Sequence, residues 1–400
     1  MSSSSETRVL NIGVTEDDVF VQSQRLPVLP APVATSGPIG WLRANLFSSP
    51  LNTLLTLVIL GLLILVIPPV IRFLFIDAVW SGTDRDACLG GPNGEVGACW
   101  AFVRERLPYF IYGSYPIPQR WRVDLFFVML AFGAGWLLWL DAPGRGLGAI
   151  YFFIIMPICA YVLLNGWPLI GLPAVDTSLW GGVLVTVVVT TVGMVASLPF
   201  GILLALGRRS SMPAVRVLSI MFIEFVRGVP LITVLFMASV MLPLFVPPAW
   251  SPDKLLRALV GIALFASAYM AEVVRAGLLA VPRGQYEAAR ALGLRFWRTQ
   301  GLIVLPQALR ITIPNIVNSF IALFKDTTLV FFVGIFDLLK TIEVARVDPK
   351  WATPVTSATG YAFAAVFYFV FCFLMTRYAD RIEYRLGRAE RRRAERGHVG

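Results

Sequence analysis

Charge is scarce in this 400-residue chain: Asp, Glu, Lys and Arg make up 14% of it, where a soluble domain carries about 25%. With 57% hydrophobic residues and a mean hydropathy of +0.74, that excludes a water-soluble globular protein and points to an integral membrane chain. Histidine occurs once, at His398, so a zinc helix of the HExxH kind is excluded and no metal site is expected. Lysine occurs four times, at Lys254, Lys325, Lys340 and Lys350, and never after a glycine. A GxxxxGK[ST] phosphate loop is therefore absent. Nothing resembles a nucleophile elbow, and covalent chemistry within the chain is not expected. Cysteine is limited to four residues. Cys88 and Cys99 flank a glycine-rich turn and could be bonded if that loop lies outside the cytoplasm; two free thiols fit equally well. Cys159 and Cys372 lie in apolar runs and read as packing residues.

Long apolar runs are what the chain does have. Eight of them, near 52–76, 124–141, 147–165, 179–207, 215–246, 258–281, 310–336 and 355–379, approach the ~20 residues needed to cross the hydrocarbon. An even number puts both ends on one side. The net charge, 34 − 24 = +10, fits the excess of Lys and Arg in cytoplasmic loops and needs no nucleic-acid partner. One set of loops holds Arg145, then Arg208, Arg209 and Arg216, then Arg283, Arg290, Arg295, Arg298 and Arg310. The tail on the same side holds eight arginines between Arg377 and Arg396 against four acids. The opposite set has no Lys or Arg in 166–178, two in 247–257 and three in 337–354, and its long loop 77–123 balances five arginines with five acids. Both termini are therefore expected in the cytoplasm. Residues 1–50 are polar with no early apolar core, so they read as a disordered leader and not as a signal peptide. Arg377, Arg381, Arg385, Arg388 and Arg392 share one helix face, suited to membrane lipid headgroups or simply solvated.

Several charges fall inside the apolar runs. Arg72 is close enough to a span end to reach the interface. "FIEFVRGVP" holds Glu224 and Arg227, and "MAEVVRAGL" holds Glu272 and Arg275, each pair three apart on one helix face and able to neutralise itself in part. "LFKDTTL" sets Lys325 beside Asp326, followed by Thr327 and Thr328. A charge at mid-bilayer costs about 2.5–3.5 kcal/mol even on lenient scales, so these residues must face protein or water. They either knit helices together or line a path for a polar or zwitterionic solute. Glu224 and Arg227 lean toward the first role, Lys325 and Asp326 toward the second. Gly228 and Pro230 are expected to loosen the helix near Arg227, and broken helices at membrane depth often border transport routes.

The stretch "YEAARALGLRFWRTQGLIVLP", 286–306, crowds Glu287, Arg290, Arg295 and Arg298 into a loop predicted cytoplasmic. It reads as helix, glycine turn at Gly293, and a second helix meeting Pro306, which should end the run. Ala288, Ala289, Leu292 and Leu294 should form an apolar ridge able to fill a groove in a soluble partner.

That stretch resembles the EAA loop of ABC importer permeases, with Glu287, Ala288, Ala289, Gly293, Ile303, Leu305 and Pro306 in register. "EFVRGVPLI", "AEVVRAGLLAVPRGQYEAARALGL" and "LPQALRITIPNIVNSFIALFKDTTL" are similar to permeases of the polar amino-acid uptake group, over roughly residues 178–385. The extra N-terminal part, with "GACWAFVRERLPYFIYGSYP", resembles the longer permease subunit of broad-specificity L-amino-acid importers. The resemblance implies an all-α membrane fold of about eight spans: a leader over 1–50, a three-span extension over 51–177, a five-helix type I permease core over 178–385 and a basic tail over 386–400. It implies a multi-pass subunit of the bacterial inner membrane, with the helix from Glu287 to Gly293 docking an ATPase. The partners implied are a second permease subunit, two ABC ATPase copies that hold the ATP and magnesium, and a periplasmic amino-acid-binding protein. Polar L-amino acids would cross by alternating access past Glu224, Arg227, Glu272, Arg275, Asn318, Lys325, Asp326 and Thr327. The chain itself would be no enzyme and would bind no cofactor. The rival reading is an ion-gradient-driven secondary transporter using Glu224, Glu272 or Asp326 as its ion site.

Overall fold

The computed structural model describes residues 37–90, 96–139, 142–247 and 250–397. Most of the expected leader, and His398, lie outside the described residues. The chain divides into two compact units, 1–70 and 71–400. In the first, α1 (Gly37–Asn45) is followed by α2 (Pro50–Ile71). Ser49 starts α2 by accepting the Asn52 amide at 3.2 Å, which satisfies one of the helix's orphan donors. No residue of α2 is buried.

In the second unit, α3 (Trp100–Tyr112) leads to α4 (Trp121–Leu138). Next come α5 (Arg145–Ile150) and α6 (Met156–Asn165), joined by a π turn. The long helix α7 (Gly182–Arg208) precedes α8 (Pro213–Gly228), α9 (Leu231–Phe236) and α10 (Leu242–Phe245). Another long helix, α11 (Lys254–Ala280), leads into the short α12 (Arg283–Ala291) and α13 (Phe296–Arg298). A π turn over Thr299–Val304 then continues into α14 (Leu305–Asp326). The strand β1 (Phe336–Asp337), α15 (Leu338–Ala345) and α16 (Pro354–Gly397) complete the chain.

Among the described residues seven helical stretches are long and apolar enough to cross a membrane: Pro50–Ile76, Ile117–Leu138, Gly146–Asn165, Gly182–Arg208, Lys254–Ala280, Phe296–Val333 and Pro354–Arg385. The remaining apolar run, 215–246, is no straight span: Pro213–Gly228 and Leu231–Phe245 meet at 106°. Pro230 has no N–H to donate, and its ring drives Val229 to φ −111°, ψ 136°, away from helix. Pro306 behaves otherwise. Expected to end its helix, it sits in the first turn of α14 and the helical path runs on through it. Proline is tolerated in the first turn of an α-helix, where its fixed φ suits the helix and its missing N–H matters least.

The expected loop 77–123 is folded and built into the bundle. Cys88 and Cys99 are bonded, with Cα atoms 5.8 Å apart. The Cys99 amide donates to Thr359 Oγ1 on α16 at 2.8 Å. Arg106 pairs with Asp348, and Lys350 with Glu105, across the α15–α16 turn. Phe102, Phe110 and Trp351 close a buried cluster beneath. Gly113 bridges Trp180, while Gly181 and Gly182 bridge Phe336 and Asp337. Gly182 takes φ +64°, and a Cβ there would collide with the Phe110 carbonyl. Only glycine suits both demands. Cys159 is exposed rather than packed.

Candidate coupling helix and substrate path

The EAA stretch becomes a short helix with a defined end. Gly293 adopts φ +70° in open space. Its amide donates to Arg290 O at 2.9 Å, and the Leu294 amide to Ala289 O at 3.1 Å. This pair of bonds is a Schellman termination. The helix is pinned from its inner side: Tyr286 Oη donates to Leu278 O at 3.1 Å, and Arg209 at the end of α7 reaches Tyr286 Oη at 3.1 Å. Ala289 is fully buried, and Tyr286 of the same helix packs on a cluster that includes Val274 of α11 and Ala308 of α14.

The expected apolar ridge does not form as one face. Ala289 points inward and Leu294 is half-buried, whereas Ala288 and Leu292 are exposed, Leu292 at 76%. Residues 288 and 292 are one turn apart and share a face; 289 lies about 100° further round, and 294 follows the left-handed glycine. Glu287, exposed, flanks that outer face. The second half of the motif, Ile303, Leu305 and Pro306, lies at the junction of the π turn and α14. Ile303 and Leu305 pack on the core and Pro306 is exposed.

The span charges assemble differently from their sequence spacing. Glu272 on α11 is the hub. Arg275 lies 2.8 Å from it, Arg208 of α7 2.8 Å, and Arg227 of α8 3.9 Å. Arg208 also holds Glu224 at 2.8 Å. The expected Glu224–Arg227 pair is therefore not made; each partner reaches across to another helix. The Arg227 guanidinium lies 5.4 Å from the Tyr269 ring centre. Three arginines face two glutamates, leaving the cluster cationic.

Tyr269 also lines a cavity of about 230 Å³, with Ser197, Phe265, Ser319, Phe320 and Asp326. Asp326 is half-buried there, while Lys325 is exposed. Thr327 is buried and spends its hydroxyl on Phe324 O at 2.8 Å; Asn318 is exposed and outside this cavity. Of the eight expected path residues, four thus meet at one ion cluster and Asp326 alone enters the cavity. Arg208, Arg209, Tyr269 and Tyr286 were not singled out as site residues by sequence reasoning. Arg208 and Arg209 registered there only as topology-setting charge, and nothing local marks the two tyrosines.

Residues 197–388 match the family model described as "Binding-protein-dependent transport system inner membrane component". Over 359 residues, 90% of this chain and 96% of the relative, the sequence is 49% identical to the inner membrane amino-acid ABC transporter permease protein YhdY of Escherichia coli K12. The chain belongs to the amino-acid ABC transporter permeases. The permease is also 41% identical, over 94% of its length and all of the relative's, to a Rhodobacter capsulatus protein, the glutamate/glutamine/aspartate/asparagine transport system permease protein BztC. Among solved structures, a chain of an amino acid ABC transporter with histidines superposes at a TM-score of 0.45 with 27% identity, covering 51% of the permease and 92% of that chain. The likeness to YhdY and BztC runs through the N-terminal extension as well as the core, so these relatives share the permease's extended architecture.

Proposed function

We propose that this permease carries polar L-amino acids inward across the bacterial inner membrane, driven by an ATPase that grips α12. The observation that carries the reading is the anchoring of α12. Its outer face offers Glu287, Ala288 and Leu292 to a partner, while Arg209 and Tyr286 tie its inner face to the ends of α7 and α11. A motor closing on the outer face would move α12 as a lever, and the bonds at Arg209 and Tyr286 would pass that motion to the two long helices. The ion cluster on Glu272 binds the same two helices and α8, so they would move together. That supports alternating access around a fixed site.

The cavity beside Tyr269 suits a zwitterion. Asp326 offers a carboxylate to an α-ammonium, and Arg227 behind Tyr269 offers positive potential to an α-carboxylate. A second permease subunit, two ATPase copies and an external binding protein complete the assembly in this reading, with both termini of the permease in the cytoplasm.

The test is uptake into vesicles reconstituted with the permease and its co-purifying partners. Amino-acid uptake should require ATP on the α12 side and binding protein on the other. Uptake driven by a proton or sodium gradient without ATP would overturn the proposal.

A further inference from the structure

A second cavity, of about 310 Å³, lies at the seam between the N-terminal extension and the core, away from the ion cluster and the EAA helix. Its walls come from α4, α6, α7 and α11 and are mostly apolar, with Phe126, Met156, Ala160, Val188 and Leu259 among them and Thr191 the polar side chain on α7. Its polar groups gather at one end, where Asn165 closes α6, Trp180 precedes α7 and Asp253 caps α11. Thr177 also lines that end, and its hydroxyl is already donated to Asp253 at 2.7 Å. Water is a poor occupant of the remaining volume, because a buried water needs two to four polar partners and the walls below that end offer only the hydroxyls of Thr191 and Tyr161.

We infer that the seam cavity holds one acyl chain of a membrane phospholipid, taken from the leaflet on the side where α7 begins. Three observations carry this. The wall on α6 runs from Met156 to Asn165, about 14 Å at 1.5 Å per residue, close to the ~15 Å of hydrocarbon in one leaflet. The rim residues Tyr161 on α6 and Leu256 on α11 are exposed at 61% and 48%, and the medium against such residues at membrane depth is lipid. The polarity is also graded as a lipid's is, with most polar groups at the membrane boundary and walls below that are hydrocarbon apart from the Thr191 and Tyr161 hydroxyls. Trp180 belongs to the polar end, and its indole N–H, buried, has no acceptor among the described residues; a lipid ester carbonyl settling there would provide one. The chain would fill the seam and so weld the extension to the core. The inference rests on the membrane reading of the chain and not on what the chain transports.

The experiment uses the full transporter complex, stripped of loosely held lipid in detergent and then titrated with palmitoyl-oleoyl phosphatidylethanolamine. Native mass spectrometry counts the retained lipid, and thermal unfolding follows the Tm. The wild type should keep one lipid per copy of this chain and gain Tm on titration. Ala160→Phe, which fills the void, and Leu256→Trp, which narrows the rim at an exposed position where folding is not at stake, should each lose that lipid and the lipid-dependent rise in Tm. ATP-driven uptake separates this from the transport reading, since it can persist in variants that no longer hold the lipid. Retention of the same lipid count and Tm rise in Leu256→Trp would overturn the inference. So would protein crosslinks, in place of lipid crosslinks, from a photoreactive group at Tyr161.

Discussion

Arg208, in the last turn of α7, holds Glu272 of α11 at 2.8 Å across 64 residues of sequence, and the same guanidinium nitrogen holds Glu224 of α8 at 2.8 Å. One arginine therefore ties three helices. Glu272 has 16% of its side chain exposed and Glu224 54%, so the two carboxylates differ in weight. Removing one member of a buried pair strands the others and costs about 3–5 kcal/mol; partial exposure brings Glu272→Gln to about 2 kcal/mol. Glu224→Gln should cost no more than ~1 kcal/mol, as an exposed pair does. Thermal unfolding in detergent checks the order, and an equal loss from both variants would remove Glu272 from the centre of the cluster.

Glu287→Lys should leave folding within about 0.5 kcal/mol of wild type, since the residue is exposed and makes no bond among the described residues. It should nonetheless weaken ATPase docking at least about tenfold, or ~1.4 kcal/mol, and abolish uptake. Gly293→Ala should be milder, at about 1 kcal/mol, because a Cβ there meets open space and only the left-handed backbone is penalised. Pull-down of the ATPase alongside uptake measures both; a Glu287→Lys protein that docks and transports normally would refute the lever.

Asp326→Asn keeps the shape of the residue and removes the carboxylate from the cavity. Membrane insertion should be unchanged, while the concentration dependence or selectivity of uptake shifts. Unaltered kinetics would take Asp326 out of the path.

Gly182→Ala meets both a φ of +64° and the Phe110 carbonyl. Left-handed strain adds about 1–2 kcal/mol and overpacking ~1–3 kcal/mol, so the folded yield should collapse. Gly61→Ala, where a Cβ has nothing within 4 Å, is the matched control and should fold normally.

Asp337 predicts a pH dependence. It is fully buried and caps α15, accepting the Leu339 and Lys340 amides at 3.1 and 3.0 Å. Burial pushes its carboxyl up to about 6 against an ordinary 3.8, with those amides pulling the other way. Between those values the native state holds a proton that the unfolded chain has released, so stability falls as pH rises from about 4 to about 6 and levels off above. The shift corresponds to ~3 kcal/mol. Asn also caps helices well, so Asp337→Asn should flatten the slope and keep the fold. Tm measured from pH 4 to pH 7 decides; a slope that survives in the variant assigns it to another group.

The sequence by itself determined that this is a membrane chain, where its apolar stretches fall and which loop carries the EAA helix. Hydropathy, glycine punctuation and short motifs are local properties, and the residues that express them are neighbours in the chain. Gly293 shows this best, since an αL helix end requires nothing from elsewhere in the molecule. Tertiary structure alone decided the charge partners. An i,i+3 spacing allows Glu224 to meet Arg227 but does not oblige it, and Arg208 offered a closer cation once α7 and α8 packed. It also decided the 106° break, for Pro230 forbids continuation of the helix without setting the new direction. The packing of the loop 77–123 was not legible in the sequence because its anchors, Asp348, Lys350 and Thr359, lie more than 240 residues away from the groups they hold. Pairing across that distance depends on where whole helices come to rest, and no local pattern records it.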